Sequence, residues 1–171
     1  GFRYATRSGL SMSISDAATI PEKGRLIAGG EKQVEDIEKN WRKGLITKAE
    51  KIKMAQGVWS SLTAQIDELT WQHLGSYNSI RAIVESGARG SRDQVKQIAG
   101  MRGLVADPTG KVVELPTKSN FREGLNVFEY FTSSRGARKG LVDKALKTAE
   151  AGYLTRRLVD VAHDVMVRTD G

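Results

Sequence analysis

Apolar side chains return at helical spacing over the first long stretch of the chain. From Pro21 to about Arg42, Leu26, Ile27, Val34, Ile37 and Trp41 recur at steps of three, four and seven with charges between them. That is the pattern of an amphipathic helix. Pro21 suits a first helical turn, and Gly29-Gly30 weaken the middle. "RKGLIT" then interrupts the pattern. Thr47 and Glu50 stand at capping-box spacing and open a second helix, running to about Leu74. Its stripe is Ile52, Ala55, Trp59, Leu62, Ile66 and Leu69. Two such helices joined by a short turn predict an antiparallel, coiled-coil-like hairpin. It is either a packing unit or a protruding surface for partner proteins, and Trp41, Trp59 and Trp71 suit both.

Residues 1–20 carry no periodicity and predict irregular chain. A short helix is predicted over Asn78 to Ser86. Ser91 and Gln94 form a second capping box, so a helix starts there and ends at Gly100 or Gly103. "GLVADPTGKVVEL" reads as a small β-hairpin, with Asp107-Pro108-Thr109-Gly110 as a type I turn. Asn120 then caps a helix that buries Phe121, Leu125, Phe128 and Phe131. Last comes a helix from about Ala137 to Arg168, roughly 48 Å long at 1.5 Å per residue. The fold class is mainly α: a helical hairpin, short helices, a small β-hairpin and one long C-terminal helix. Three units follow: 1–75, 76–136 and 137–171.

Charge changes the picture at the long helix. The 171 residues carry a net +7. Residues 1–75 hold 11 basic and 9 acidic side chains, residues 76–171 hold 16 and 11. Within 135–158, seven cations (Arg135, Arg138, Lys139, Lys144, Lys147, Arg156, Arg157) face only Asp143 and Glu150. Such a balance favours an acidic partner, nucleic acid or an anionic surface. The helix contains Gly140 and Gly152, each costing roughly 1 kcal/mol relative to Ala. Its apolar positions drift around the axis, which suggests contacts on several sides. Thr148, Ala149, Ala151 and Gly152 make a bare patch flanked by Lys144, Lys147, Arg156 and Arg157, with Tyr153 beside it. That suits a nucleic-acid backbone with a base stacked nearby, and equally a solvated charged helix buried at one end.

The chemistry-bearing residues exclude more than they assign. There is no cysteine, hence no disulfide framework and no thiolate metal site. His73 and His163 have no ligand neighbours at metal spacing. No apolar run approaches the length of a membrane span, no secretory leader opens the chain, and a cytoplasmic setting is expected. Carboxylates are scattered, and no His sits beside a candidate Ser. "SGARGSRDQVKQIAGMRG" is glycine-punctuated without the spacing of a phosphate-binding loop. Its glycines either let backbone approach another chain closely or simply break up an ordinary loop. Read alone, the residues suit a binding or structural module: a stand-alone helical nucleic-acid-binding module or a protein-interaction scaffold.

Residues 76–168 closely resemble, nearly without gaps, the central part of the beta-prime subunit family of bacterial DNA-directed RNA polymerases. The resemblance rests on "SGARGS", "AGMRGL", "FREGL", "GARKGL", "ALKTA" and "GYLTRRLVDVA" in that order. The first 75 residues resemble the same family more loosely, through "GFRYATRSG", "IPEK" and "GLIT". The resemblance implies that the hairpin at about 21–74 is the rim of the secondary channel, where nucleotides enter and transcript-cleavage factors dock. It implies that 87–103 is the F-loop, and that 137–168 is the bridge helix crossing the cleft behind the active site. Lys147, Thr148, Ala149, Gly152, Tyr153, Arg156 and Arg157 would then face the template strand, the RNA–DNA hybrid or an adjacent mobile loop. Arg89, Ser91, Gln94 and Asn120 would line the nucleotide-entry side. Partners implied are DNA template, hybrid, nucleoside triphosphates and the beta, alpha, omega and sigma subunits. The family's Mg²⁺ is held by an NADFDGD motif that is absent here, as is the trigger loop. No catalytic or metal-ligating residue is therefore expected in this segment, nor polymerase activity from it alone. The chain departs from the family at Arg135, Val142 and Lys144, where His, Ala and Thr are usual. Lys144 puts a long cation in place of a small hydroxyl near the template contact.

Overall fold

The computed structural model describes residues 1–107, 109–166 and 168. The chain runs α1 (Phe2–Ser8), a 3-10 turn (Ile14–Asp16), α2 (Lys23–Arg42), α3 (Lys48–His73), α4 (Ser79–Glu85), α5 (Arg92–Ala99) and α6 (Val127–Ala162). The expectation of irregular chain over 1–20 is corrected by α1 and the turn. α1 buries no residue, which is why no apolar periodicity announces it.

The α2–α3 hairpin forms as the spacing predicts. The Thr47 hydroxyl accepts the Glu50 N–H, and the Glu50 carboxylate accepts the Thr47 N–H at 2.8 Å. Ala55, Trp59, Leu62, Ile66 and Thr70 of α3 are buried. Trp59, Leu62 and Ile66 form the core with Ile20 and Met101, and Leu26, Ile27, Val34, Leu69 and Leu104 pack around it. Each fully buried aliphatic side chain here contributes roughly 1.5–3 kcal/mol. Gly30 sits where the helices cross: a Cβ there would meet Leu62 Cδ2 at 3.2 Å and Trp59 Cζ3 at 3.4 Å.

α5 lies against the base of α3, its first turn closed by the Ser91–Gln94 capping box, and it ends at Gly100. Val95 and Ala99 face inward. Beyond it, Asn120 is fully buried. Its Nδ2 donates to the carbonyls of Ala99 (2.9 Å) and Gly100 (3.1 Å), and its Oδ1 accepts the Glu123 N–H at 2.7 Å. Two long-range ion pairs tie this segment to the hairpin, Lys23–Glu123 and Lys118–Glu31.

Two sequence expectations fail between Gly103 and Ser133. The small β-hairpin is not formed. Among the described residues there is no strand, only isolated antiparallel bridges Gly103–Thr117 and Ala106–Val112. The returning limb carries two residues more than the outgoing limb between those bridges, so no continuous ladder can close. Pro116 also offers no N–H. The Gly110 N–H does donate to the Asp107 carbonyl at 2.8 Å, but Pro108 of the expected turn lies outside the described residues. Nor does Asn120 cap a separate helix over residues 121–134. Its partner N–H belongs to a turn over 121–123, and Gly124 at φ +87° ends that turn. The helix starts later, at Val127, capped by Asn126. Phe121, Phe128 and Phe131, expected to be buried, are exposed, and Leu125 is half-buried.

α6 then continues without a break for 36 residues to Ala162, about 54 Å. It covers the expected start at Ala137 and stops six residues short of Arg168; Val167 lies outside the described residues.

Candidate nucleic-acid interface

Among the described residues, α6 is held at one end only. Its capping box is reciprocal: the Asn126 side chain accepts the Glu129 N–H at 2.9 Å, and Glu129 Oε2 accepts the Asn126 N–H at 3.1 Å. The other carboxylate oxygen of Glu129 accepts N–H groups from Lys118 (2.8 Å) and Ser119 (3.3 Å), fixing the helix start to the preceding segment. Burial pushes the Glu129 carboxyl up, but these hydrogen bonds outweigh it and hold its pKa below the ordinary value. Arg102 donates to the Ser133 hydroxyl and lies over the Phe121 ring. Arg135 pairs with Asp107 at 3.6 Å. At Gly136 the helix touches the bridged segment: a Cβ would meet the Ala106 carbonyl oxygen at 3.0 Å. Of the glycines in α6, Gly136 is therefore the one that packing demands. Gly140 and Gly152 face open space.

From Lys144 to Ala162 every side chain is exposed. The helix turns about 100° per residue, so positions four apart form rows. Thr148, Gly152 and Arg156 make one row, and Ala149, Tyr153 and Arg157 the row beside it. Six of the seven residues singled out from the sequence thus share one broad side. The Arg157 guanidinium lies 5.4 Å from the centre of the Tyr153 ring. Lys147 lies beyond the Thr148 edge of that side, where it lines a shallow depression with Gly140, Asp143, Lys144, Thr148 and Ala151. Apolar residues divide likewise. Val142, Leu146, Ala149 and Tyr153 follow one line, while Leu154, Leu158 and Val161 follow another about a third of a turn away. A helix with two apolar lines, a small-residue gap and cations on several sides can touch more than one partner at once.

The second group does not assemble as a unit. Arg89, Ser91 and Gln94 line an open, mostly apolar cleft of about 620 Å³ with Met12, Ile80, Ile83, Val84, Val95 and Ile98. Ser91 and Gln94 also cap α5, with Gln94 Oε1 accepting the Ser91 N–H at 3.1 Å. Asn120 is elsewhere, its amide engaged by backbone as described. Gly87 (φ +68°) and Gly90 (φ +81°) bracket Arg89 in left-handed conformations that the loop requires.

Sequence spacing missed Arg81, Arg92, Arg102 and Gly136. Arg92, Arg102 and Gly136 act across elements far apart in the chain, and Arg81 across the turn from α3 to α4; no helical spacing marks such contacts. Among the described residues, no three His, Asp or Glu side chains come together as ligands for a metal ion, so no step is assigned to one here. No helix of the described residues is long and apolar enough to cross a membrane.

The family model described as RNA polymerase Rpb1, domain 4 matches residues 29–124, and that for RNA polymerase Rpb1, domain 5 matches residues 124–171. The DNA-directed RNA polymerase subunit beta' of Roseiflexus sp. strain RS-1 is 51% identical over 170 residues, 99% of this chain and 11% of that protein. The same subunit of Caldicellulosiruptor saccharolyticus is 51% identical over 170 residues, 99% of this chain and 15% of that protein. That of Desulforamulus reducens is 50% identical over 171 residues, 99% of this chain and 14% of that protein. The chain spans between about a ninth and a seventh of the length of these curated relatives.

Proposed function

The chain belongs to the family of the largest RNA polymerase subunit, Rpb1 or beta', and from that premise we propose that it serves DNA-directed RNA synthesis by positioning nucleic acid beside the active centre. In this reading α6 is the bridge helix. Its side bearing Thr148, Ala149, Gly152, Tyr153, Arg156 and Arg157 meets the template strand and the hybrid, and Lys147 meets a neighbouring element. The α2–α3 hairpin forms the rim of the secondary channel and receives cleavage factors. The Arg89 loop and α5 border the path of nucleoside triphosphates. The beta, alpha, omega and sigma subunits surround the chain, and Mg²⁺ is held by other segments of the polymerase.

The observation that carries this reading is the exposure of α6 from Lys144 to Ala162. A basic helix with two apolar lines, standing free of its own domain, has surface to bury on several sides. Phosphates would be met by Arg156 and Arg157 as charge-assisted contacts. The smooth gap at Ala149 and Gly152 gives a strand close approach, and this chain's own residues contribute orientation rather than bond-making.

The test uses polymerase assembled with the full-length subunit. Gly152→Val fills the gap and should slow elongation on the order of ten- to a hundredfold, the scale of a small misplacement of reacting groups. Near-normal elongation contradicts the template-approach role. The basic charge of α6 also favours a second reading, a stand-alone nucleic-acid-binding module. Tight, steeply salt-dependent binding of short duplexes by the chain alone would support that reading instead.

A further inference from the structure

The loop carrying Arg89 is flanked by two weakly anchored elements. α4 has seven residues and none of them is buried. α5 has eight, with inward-facing residues only at Val95 and Ala99. Yet the elements on both sides of the loop reach one side chain, Trp71, in the last turns of α3. From α4, the Arg81 guanidinium lies 5.4 Å from the Trp71 ring centre and donates to the Leu74 carbonyl at 2.9 Å. From the first residue of α5, the Arg92 guanidinium lies 5.3 Å from the same ring. Arg92 also pairs with Asp67 (3.2 Å) and Glu68 (2.5 Å), one turn earlier on α3.

We infer that Trp71, gripped by Arg81 and Arg92, is the anchor through which the α2–α3 hairpin sets the position of the Arg89 loop. α3 is at once the second arm of the hairpin and the carrier of Asp67, Glu68 and Trp71. A tilt of the hairpin therefore carries the indole and both carboxylates with it. Two planar guanidinium groups over the indole transmit that displacement to α4, through Arg81 in its first turn, and to Arg92, the first residue of α5. Guanidinium suits the task because it can lie over a ring and donate N–H groups to carboxylates in its plane at once, which an ammonium cannot. Gly87 and Gly90 let the loop between those anchors follow, since neither requires a side chain to be accommodated at positive φ. Arg81 and Arg92 are positioning residues: they act on Arg89 through the loop. The inference holds whether or not that loop borders nucleotide.

Hydrogen exchange on the full chain tests it, with peptides covering 82–97 read against 30–62 as an internal reference. Arg92→Gln should raise exchange over 82–97 by about three- to tenfold, the range set by one exposed cation–π contact and the weak surface pairs with Asp67 and Glu68. The 30–62 reference should not change. The charge swap Arg92→Glu with Glu68→Arg should restore the pair but not the stacking, recovering part of the protection. Trp71→Leu should mimic Arg92→Gln at both ends of the loop while keeping apolar bulk. Unchanged exchange over 82–97 in Arg92→Gln overturns the inference. So does an equal rise over 30–62, which would mean general loosening of the fold rather than release of the loop.

Discussion

Gly29 and Gly30 are neighbours on α2, and the structure separates their roles sharply. A methyl group at Gly29 meets nothing within 4 Å, whereas at Gly30 it meets Leu62 Cδ2 at 3.2 Å and Trp59 at 3.4 and 3.7 Å. Replacing either by Ala removes a helix-interior glycine and gains about 1 kcal/mol in propensity. At Gly29 that gain stands alone. At Gly30 it is opposed by crowding against two buried side chains of α3, and overpacking of a filled contact costs about 1–3 kcal/mol. Gly29→Ala should therefore stabilise the chain by about 0.5–1 kcal/mol. Gly30→Ala should range from neutral to about 2 kcal/mol destabilising, and Gly30→Val should be worse than Gly30→Ala. The assay is thermal and urea unfolding followed by circular dichroism. At this size each kcal/mol moves the midpoint by about 2–4 °C, so Gly29→Ala should melt above the native chain and Gly30→Ala at or below it. If Gly30→Ala stabilises as much as Gly29→Ala, α2 does not cross α3 at Gly30, and the packing of the hairpin described above is wrong.

Two further outcomes follow from buried or tethering polar groups. Asn120→Ala strands the carbonyls of Ala99 and Gly100 and the Glu123 N–H at a fully buried position. It should cost about 2–3 kcal/mol, seen as a lower urea midpoint with α2–α3 exchange preserved until global unfolding. Glu129 has a folded pKa below its ordinary 4.5, so its contribution is fully present above that ordinary value. It is lost as pH falls through the depressed folded value. Stability measured from neutral pH down to about pH 3 should fall more steeply in the native chain than in Glu129→Gln; equal slopes would show that Glu129 does not tether α6.

The short range decided much of this protein. The two stripes of α2 and α3, the Thr47–Glu50 and Ser91–Gln94 boxes and the short α4 all depend on residues within a turn or two of one another. Sequence spacing expresses those relations directly. The same holds for the charge and bare patch of α6, and it explains why six of the seven residues named from sequence fall on one side of a single helix. Motif order likewise carried the family. Failures begin where a residue's partner is distant. Asn120 reads as a helix cap because its local context allows one, but its amide is taken by the carbonyls of Ala99 and Gly100. Phe128 and Phe131 have the spacing of a buried stripe, yet among the described residues none covers them. The β-hairpin fails on a two-residue mismatch between its limbs that only the pairing reveals. Gly136 and Gly152 look alike in sequence; one is pressed against the Ala106 carbonyl and the other stands in the open. Spacing along a chain determines which faces a helix has, because backbone geometry repeats. Which of those faces is covered depends on what long-range packing brings against it, and that the tertiary structure alone decided.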